Sequence, residues 1–269
     1  MKTFKIKDFE APETRFPRVL AVMGSPKKKG NTYKVTREVE ERMKQLGNIE
    51  FEYLFLKDVD LKMCSGCFNC VRKGEDLCPI NDSRVEIENK IAAADGVILA
   101  SPVYCENVSG LMKNFIDRFS FVFHRPRFFD QKLMVLATSA GGGLKETIDY
   151  LKKLQIWGFG TPVELRVITP PWPQSDALQK KNEKNINNAA EEFYQKLQEG
   201  RQPPNFMQYM HFRFLKETSK LGYLPADLEF YKDKGEFFYD TSVSPLKKIF
   251  APLIMKFAFF MMRDMEPKS

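Results

Sequence analysis

Five short apolar runs alternate with longer polar and amphipathic segments, and this rhythm most constrains the fold. The runs cover residues 18–24, 49–56, 96–100, 132–138 and 163–169. Helical patterns follow the first at 33–46, the second at 84–94, the third at 109–121, the fourth up to Trp157 and the fifth at 176–198. Runs of four to eight apolar or alternating residues read as strands, and longer 3.6-period stretches as helices. Strict alternation of the two predicts a parallel sheet with helices on both faces. In such a doubly wound fold, ligands bind beyond the carboxyl ends of the strands.

The loops at those ends are where chemistry is expected. Gly24-Ser25-Pro26-Lys27-Lys28-Lys29-Gly30-Asn31-Thr32 joins the first strand to the first helix. Unpaired N–H groups at a helix start attract phosphate. Ser25, Asn31 and Thr32 add short polar side chains, and Gly30 lets a backbone approach closely. The mononucleotide motif G-x-x-x-x-G-K-[ST] fails here, because Gly24 and Gly30 are one residue too far apart and Asn31 replaces the lysine. The dinucleotide fingerprint is absent from this turn. A phosphate monoester held by hydroxyls and backbone, as in flavodoxin-type FMN sites, fits better. The third-strand loop Ser101-Pro102-Val103-Tyr104-Cys105-Glu106-Asn107-Val108-Ser109-Gly110 offers backbone and an aromatic ring. The fourth, Ser139-Ala140-Gly141-Gly142-Gly143, offers bare backbone on the same edge.

Four of the five cysteines crowd between the second strand and the next helix, as Cys64-Ser65-Gly66-Cys67-Phe68-Asn69-Cys70 and then Cys78-Pro79. Thiolates in C-x2-C-x2-C steps can converge on one inorganic core. Three readings stay open: an iron–sulfur cluster, unmetallated thiols, and zinc, which more often takes two separated C-x2-C pairs. Cys105 reads as a buried loop thiol. His124 and His211 lack ligand spacing and read as packing or surface residues.

These three loops, the cysteines and the helix Leu111-Met112-Lys113-Asn114-Phe115-Ile116-Asp117-Arg118 resemble the NADPH-dependent FMN reductase family, and within it the iron–sulfur flavoproteins. The resemblance covers about residues 18–200. It implies a flavodoxin-like, doubly wound, five-stranded parallel sheet and an FMN-dependent oxidoreductase. It implies phosphate contacts from Ser25, Gly30, Asn31 and Thr32. It implies flavin contacts from Pro102, Val103, Tyr104, Asn107, Ser139, Ala140 and Gly141. It implies a [4Fe-4S] cluster on Cys64, Cys67, Cys70 and Cys78, with the gap before Cys78 inside the range the family shows. Ferredoxin or NAD(P)H would be the electron donor, quinones or free flavin the acceptors of a form without a cluster, and the chain a homo-oligomer. Asp117 and Arg118 are given a structural role, and no protein acid or base is nominated.

The remaining expectations are negative or coarse. A net charge of +7 over 269 residues, without a basic stripe, argues against nucleic acid. The first residues, Met1-Lys2-Thr3-Phe4-Lys5-Ile6-Lys7-Asp8, carry no apolar core of signal-peptide length, so a cytoplasmic protein is expected. Pro203-Pro204 divides the chain into a flavodoxin-like domain, 1–203, and a mainly helical C-terminal extension, 204–269. The apolar stretch 249–262, broken by Pro252 and Lys256, is too short to span a bilayer, and membrane contact is not expected.

Overall fold

A computed structural model describes residues 15–262. The N-terminal segment read for an export signal, and residues 263–269 of the extension, lie outside the described residues.

The chain runs β1 (Arg18–Met23), α1 (Asn31–Leu46), β2 (Glu50–Phe55), α2 (Asn69–Arg72), α3 (Arg84–Ala93), β3 (Gly96–Tyr104), β4 (Asn107–Val108), α4 (Gly110–Arg118) and α5 (Ser120–His124). It continues β5 (Lys132–Ser139), α6 (Leu144–Lys152), β6 (Val163–Ile168), α7 (Asp176–Leu197), α8 (Phe206–Ser219), α9 (Pro225–Tyr231) and α10 (Pro245–Met262). The sheet order is β2-β1-β3-β5-β6, all parallel, with β4 added antiparallel to β3. That order, reversing direction beside β1, is the flavodoxin-like one.

Strand residues alternate between two cores, because successive side chains point to opposite faces. Leu20, Val22, Leu99 and Val135 pack under α3, α4, α5 and α6. Ala21, Met23, Ile98 and Met134 pack under α1 and α7, where Val39, Met43, Ala190 and Phe193 are fully buried. Both faces are covered, which is why the central strands read as continuous apolar runs rather than alternating ones.

Local differences from the sequence reading have physical causes. β3 does not stop at Ala100 but runs on to Tyr104 and folds back on β4. Cys105 and Glu106 form the two-residue turn, with φ of 48° and 63°. Two positive φ values match the twist of a tight hairpin. Cys105 at its tip is exposed, so the expected buried thiol is corrected. The helix expected over 109–121 divides at Phe119 into α4 and α5. The segment after Cys67 is not all loop: it holds α2 and a single 3₁₀ turn at Glu75–Leu77.

Helices α8, α9 and α10 enclose a third core of Tyr209, Phe212, Leu215, Tyr231, Phe237, Val243 and Ala251. Asn205 caps α8 reciprocally: its side chain accepts from Gln208 N at 2.9 Å, and Gln208 Oε1 accepts from Asn205 N at 3.0 Å. Polar links tie these helices to the sheet unit. Tyr231 Oη donates to His124 O at 2.7 Å. His211 Nε2 donates to Phe123 O at 2.6 Å. The two histidines, distant in sequence, therefore flank Phe123.

Burial, and then the neighbouring His124, pushes His211 down from 6.5 to about 4. The folded chain holds it neutral while the unfolded chain protonates more readily. Its contribution to stability is full above pH 6.5 and is lost as pH falls from there towards 4. Urea midpoints measured across that range should fall less steeply for His211→Gln than for the natural chain.

Candidate functional site

The loop after β1 presents the open end of α1. Gly30 is the N-cap, and no side chain caps the helix. Its first N–H groups and the positive end of its dipole face outward along the loop. Ser25 Oγ accepts from Lys27 N at 3.1 Å, and Lys27 O accepts from Gly30 N at 3.1 Å, so the loop is held in a turn. No residue from Gly24 to Thr32 is acidic and three are lysines, of which Lys28 pairs with Asp58 at 2.7 Å. This donor set fits a phosphate monoester. Thr32 is turned differently from expectation: its Oγ1 lies 2.8 Å from Thr138 Oγ1, in the core between α1 and β5. Asn31 Nδ2 reaches Thr169 O at 3.4 Å, beyond β6. Asn31 also borders a hollow of about 810 Å³ between α1 and α7.

Ser109 joins the second loop to the first. Its Oγ donates to Gly24 O at 2.6 Å and accepts from Met112 N at 3.2 Å, capping α4. Its own N–H donates to Ser101 Oγ at 3.0 Å. A Cβ on Gly24 would lie 2.9 Å from Met112 Cβ, so only glycine permits this approach. Pro102 is buried and Val103 half-buried, while Tyr104 and Asn107 are exposed at the mouth. Asn107 Oδ1 accepts from Val108 N at 2.8 Å within the hairpin.

The third loop closes the edge. Ser139 Oγ donates to Gly142 O at 2.6 Å and accepts from Gly141 N at 3.1 Å, leaving Ala140 and Gly141 exposed. Gly143 has φ 76°, and a Cβ there would lie 2.5 Å from Val103 Cγ1. The fold thus brings all three sequence-predicted loops to the carboxyl edge of the sheet. Their backbone and small residues form a cradle that larger side chains would fill.

The cysteine loop lies against α4 and α5. Asn114 Oδ1 accepts from Cys64 N at 3.1 Å, while its Nδ2 donates to Leu61 O at 3.1 Å. Gly66 and Phe68 both adopt positive φ, 66° and 63°, and turn the chain sharply between thiols. Cys70 Sγ lies 3.9 Å from Ser120 Oγ. Burial raises the Cys70 thiol, and the charges of Cys78, Cys64 and Cys67 raise it further. Cys67 is lowered, first by the N–H of Asn69 and then by Ser65. Among the described residues no group of three or more His, Cys, Asp or Glu converges to hold a metal ion. The structure collects the four cysteines without closing them into a ligand set.

Sequence reasoning gave Arg118 a structural role without its contact to Cys78, and it missed Arg125. Arg118 Nη1 donates to Cys78 Sγ at 3.2 Å. Its Nη2 meets Asp82 Oδ1 at 2.7 Å, and both side chains are almost fully buried. Asn114 and Arg118 are one helical turn apart, a spacing that could have marked a common face. Arg125 Nη2 donates to Cys70 O, and its Nη1 to Val71 O at 3.1 Å and to Asp227 Oδ1. Asp227 also accepts from His124 Nδ1 at 2.7 Å. Glu75 pairs with Arg125 at 3.0 Å and Arg127 at 2.5 Å. Burial would raise its carboxyl, but Arg127 and Arg125 outweigh that and hold it low. No sequence signal links Asp227, far along the chain in α9, to the cysteine loop.

A family model described as NADPH-dependent FMN reductase matches residues 17–172. An iron-sulfur flavoprotein of Archaeoglobus fulgidus is 32% identical over 226 residues, covering 81% of this chain and 99% of the relative. An iron-sulfur flavoprotein of Clostridioides difficile is 28% identical over 196 residues, covering 72% of this chain and 85% of the relative. A solved NAD(P)H:quinone oxidoreductase from Methanothermobacter marburgensis superposes with a TM-score of 0.55 at 14% identity, covering 70% of this chain and all of that one.

Replacing Asp227 by Ala should strand the buried Arg125 charge and cost about 3–5 kcal/mol in urea unfolding. Amide exchange across residues 68–77 should accelerate beyond that of β1 and β3. Unchanged exchange in that segment would show that Asp227 does not hold it.

Proposed function

Because this chain belongs to the NADPH-dependent FMN reductase family and is a flavin-dependent oxidoreductase, we propose that it carries two electron-transfer sites joined by α4. The observation that supports this reading is the placement of that helix. Its cap, Ser109, bonds the loop after β1, and its Asn114 and Arg118 hold the cysteine loop. At 1.5 Å per residue the span from Ser109 to Arg118 is about 14 Å.

In this reading FMN lies along the carboxyl edge of the sheet. The N–H groups at the start of α1, with Ser25, Gly30 and Asn31, bind its phosphate. Thr32 acts from behind, through Thr138, by fixing the first turn of α1. Pro102, Val103, Tyr104 and Asn107 border the ring and ribityl chain, and Ser139, Ala140 and Gly141 present backbone to it. Bound there, FMN supplies chemistry in both one-electron and two-electron steps, and the protein supplies orientation and electrostatics. No side chain acid or base is required.

Cys64, Cys67, Cys70 and Cys78 are the donor set that would hold a [4Fe-4S] cluster, which would supply one-electron transfer. Four thiols in one region, one of them facing a buried arginine, fit an anionic sulfur-ligated group. Ferredoxin is then the donor. A second reading, an NAD(P)H-dependent quinone or flavin reductase with unmetallated cysteines, is favoured by the open arrangement of the thiols. Both readings take the chain as a cytoplasmic homo-oligomer, with a catalytic unit up to Pro203 and a supporting extension after it.

Protein purified without oxygen should contain about four iron and four sulfide per chain. Yellow protein with no iron would favour the second reading, and colourless protein that binds no FMN would sink both. Cys67→Ala should abolish iron and leave flavin bound. Asn31→Asp, which puts a carboxylate beside the phosphate, should weaken FMN binding by about tenfold or more in flavin titrations, without changing the urea midpoint.

A further inference from the structure

Helix α10 turns an apolar face to water. Leu246, Ile249 and Leu253 are each more than 60% exposed, Phe250 is 51% exposed and Ile254 39%. At about 100° per residue these five fall within one arc of about 140°. On the opposite side Ala251 and Met255 are buried against the aromatic core of the extension. The helix is therefore anchored along its back, and its outward face is the one an ordinary surface helix would make polar.

The charges around this arc share one sign. Lys247 borders it on one side and Lys256 on the other, with Lys248 further round. Lys247 Nζ donates to Pro204 O at 2.5 Å, Lys248 pairs with Glu236 at 2.6 Å, and Lys256 is exposed. No acidic residue occurs from Thr241 to Met262. Lysines along both borders of an apolar arc can bury their stems beside it and keep their charges in a polar layer.

Two other occupants fit this pattern less well. No helix among the described residues is long and apolar enough to cross a membrane. A second copy of the helix, packed face to face, would bring lysine borders together with no carboxylate on either helix to pair with them. An apolar arc bordered by cations suits a surface that is apolar below and anionic at its rim. We propose that α10 lies in the plane of an anionic lipid surface, with Leu246, Ile249, Phe250 and Leu253 inserted at the level of the acyl boundary and Lys256 among the headgroups. The sequence reading did not expect membrane contact, but the helix is backed by the protein's own core, which takes the place of a polar side. The proposal stands independently of the flavin and cysteine sites.

The test is flotation of the full chain with vesicles of phosphatidylcholine containing phosphatidylglycerol, and with phosphatidylcholine alone. The natural protein should float with the anionic vesicles, and less so as salt rises. Leu253→Glu and Ile249→Glu each place a carboxylate in the arc, at exposed positions, and should reduce flotation by about tenfold or more. Their FMN absorbance and urea midpoint should match the natural chain, which separates lost docking from lost folding. Lys256→Glu should weaken flotation at low salt. A natural chain that stays unbound overturns the proposal, as do glutamate variants that float equally. Self-association of the natural chain that Leu253→Glu abolishes, without vesicle binding, assigns the face to a second copy and also overturns it.

Discussion

The hydrogen bond from Ser109 Oγ to Gly24 O fixes where the loop after β1 meets the helix that holds the cysteine loop. The hydroxyl also caps α4, so one short side chain sets the start of that helix and its position against β1. Gly24 must be glycine for Met112 to pack where it does. Everything further along α4 inherits this placement. Asn114 and Arg118 reach the cysteine loop because Ser109 holds the first turn against the sheet edge. A change at the Ser109–Gly24 contact would therefore move the loop after β1 and the cysteine loop together, whereas a change in the glycine loop after β5 would move only the carboxyl edge of the sheet.

Buried charge does most of the work on the cysteine side. The Arg118–Asp82 pair and the Arg125–Asp227 pair are both almost fully withdrawn from water. Such pairs add little net stability, because desolvation offsets their attraction, but breaking one is costly. Each arginine spends its remaining donors on the cysteine loop: Arg118 on Cys78 Sγ, Arg125 on the carbonyls of Cys70 and Val71. The loop has few apolar anchors, with Val71 buried and Phe68 exposed. Directional bonds from rigid guanidinium groups define its path where packing cannot.

The sheet was legible in the sequence because strands buried on both faces must be apolar throughout, and runs such as 19–23 and 133–137 are. The loops at its edge were legible because glycine, serine and threonine mark turns and helix starts at strand ends. The hairpin after β3 was not, since Cys105 and Glu106 carry no glycine or asparagine to advertise positive φ. Thr32 was expected to meet a phosphate, but its Oγ1 meets Thr138 instead, a pairing that only the fold brings about. Arg125 and Asp227 are separated by a hundred residues, and nothing local to either one names the other. Long-range polar pairs lie outside what periodicity or motif spacing can report.

The cysteines show how far placement alone carries the argument. Their spacing is a motif, but the path of the loop that carries them is set by the positive φ at Gly66 and Phe68 and by the bonds from Asn114, Arg118 and Arg125. Burial raises the Cys70 thiol first, and the charges of Cys78, Cys64 and Cys67 raise it further. A cationic core would reverse that sign, turning each neighbouring thiolate from a cost into a ligand. Arg118 already supplies a fixed positive charge at Cys78, on the residue farthest along the chain from the other three. In the cluster reading that charge would offset part of what a closed ligand set concentrates, at the cysteine that follows the longest gap in the motif.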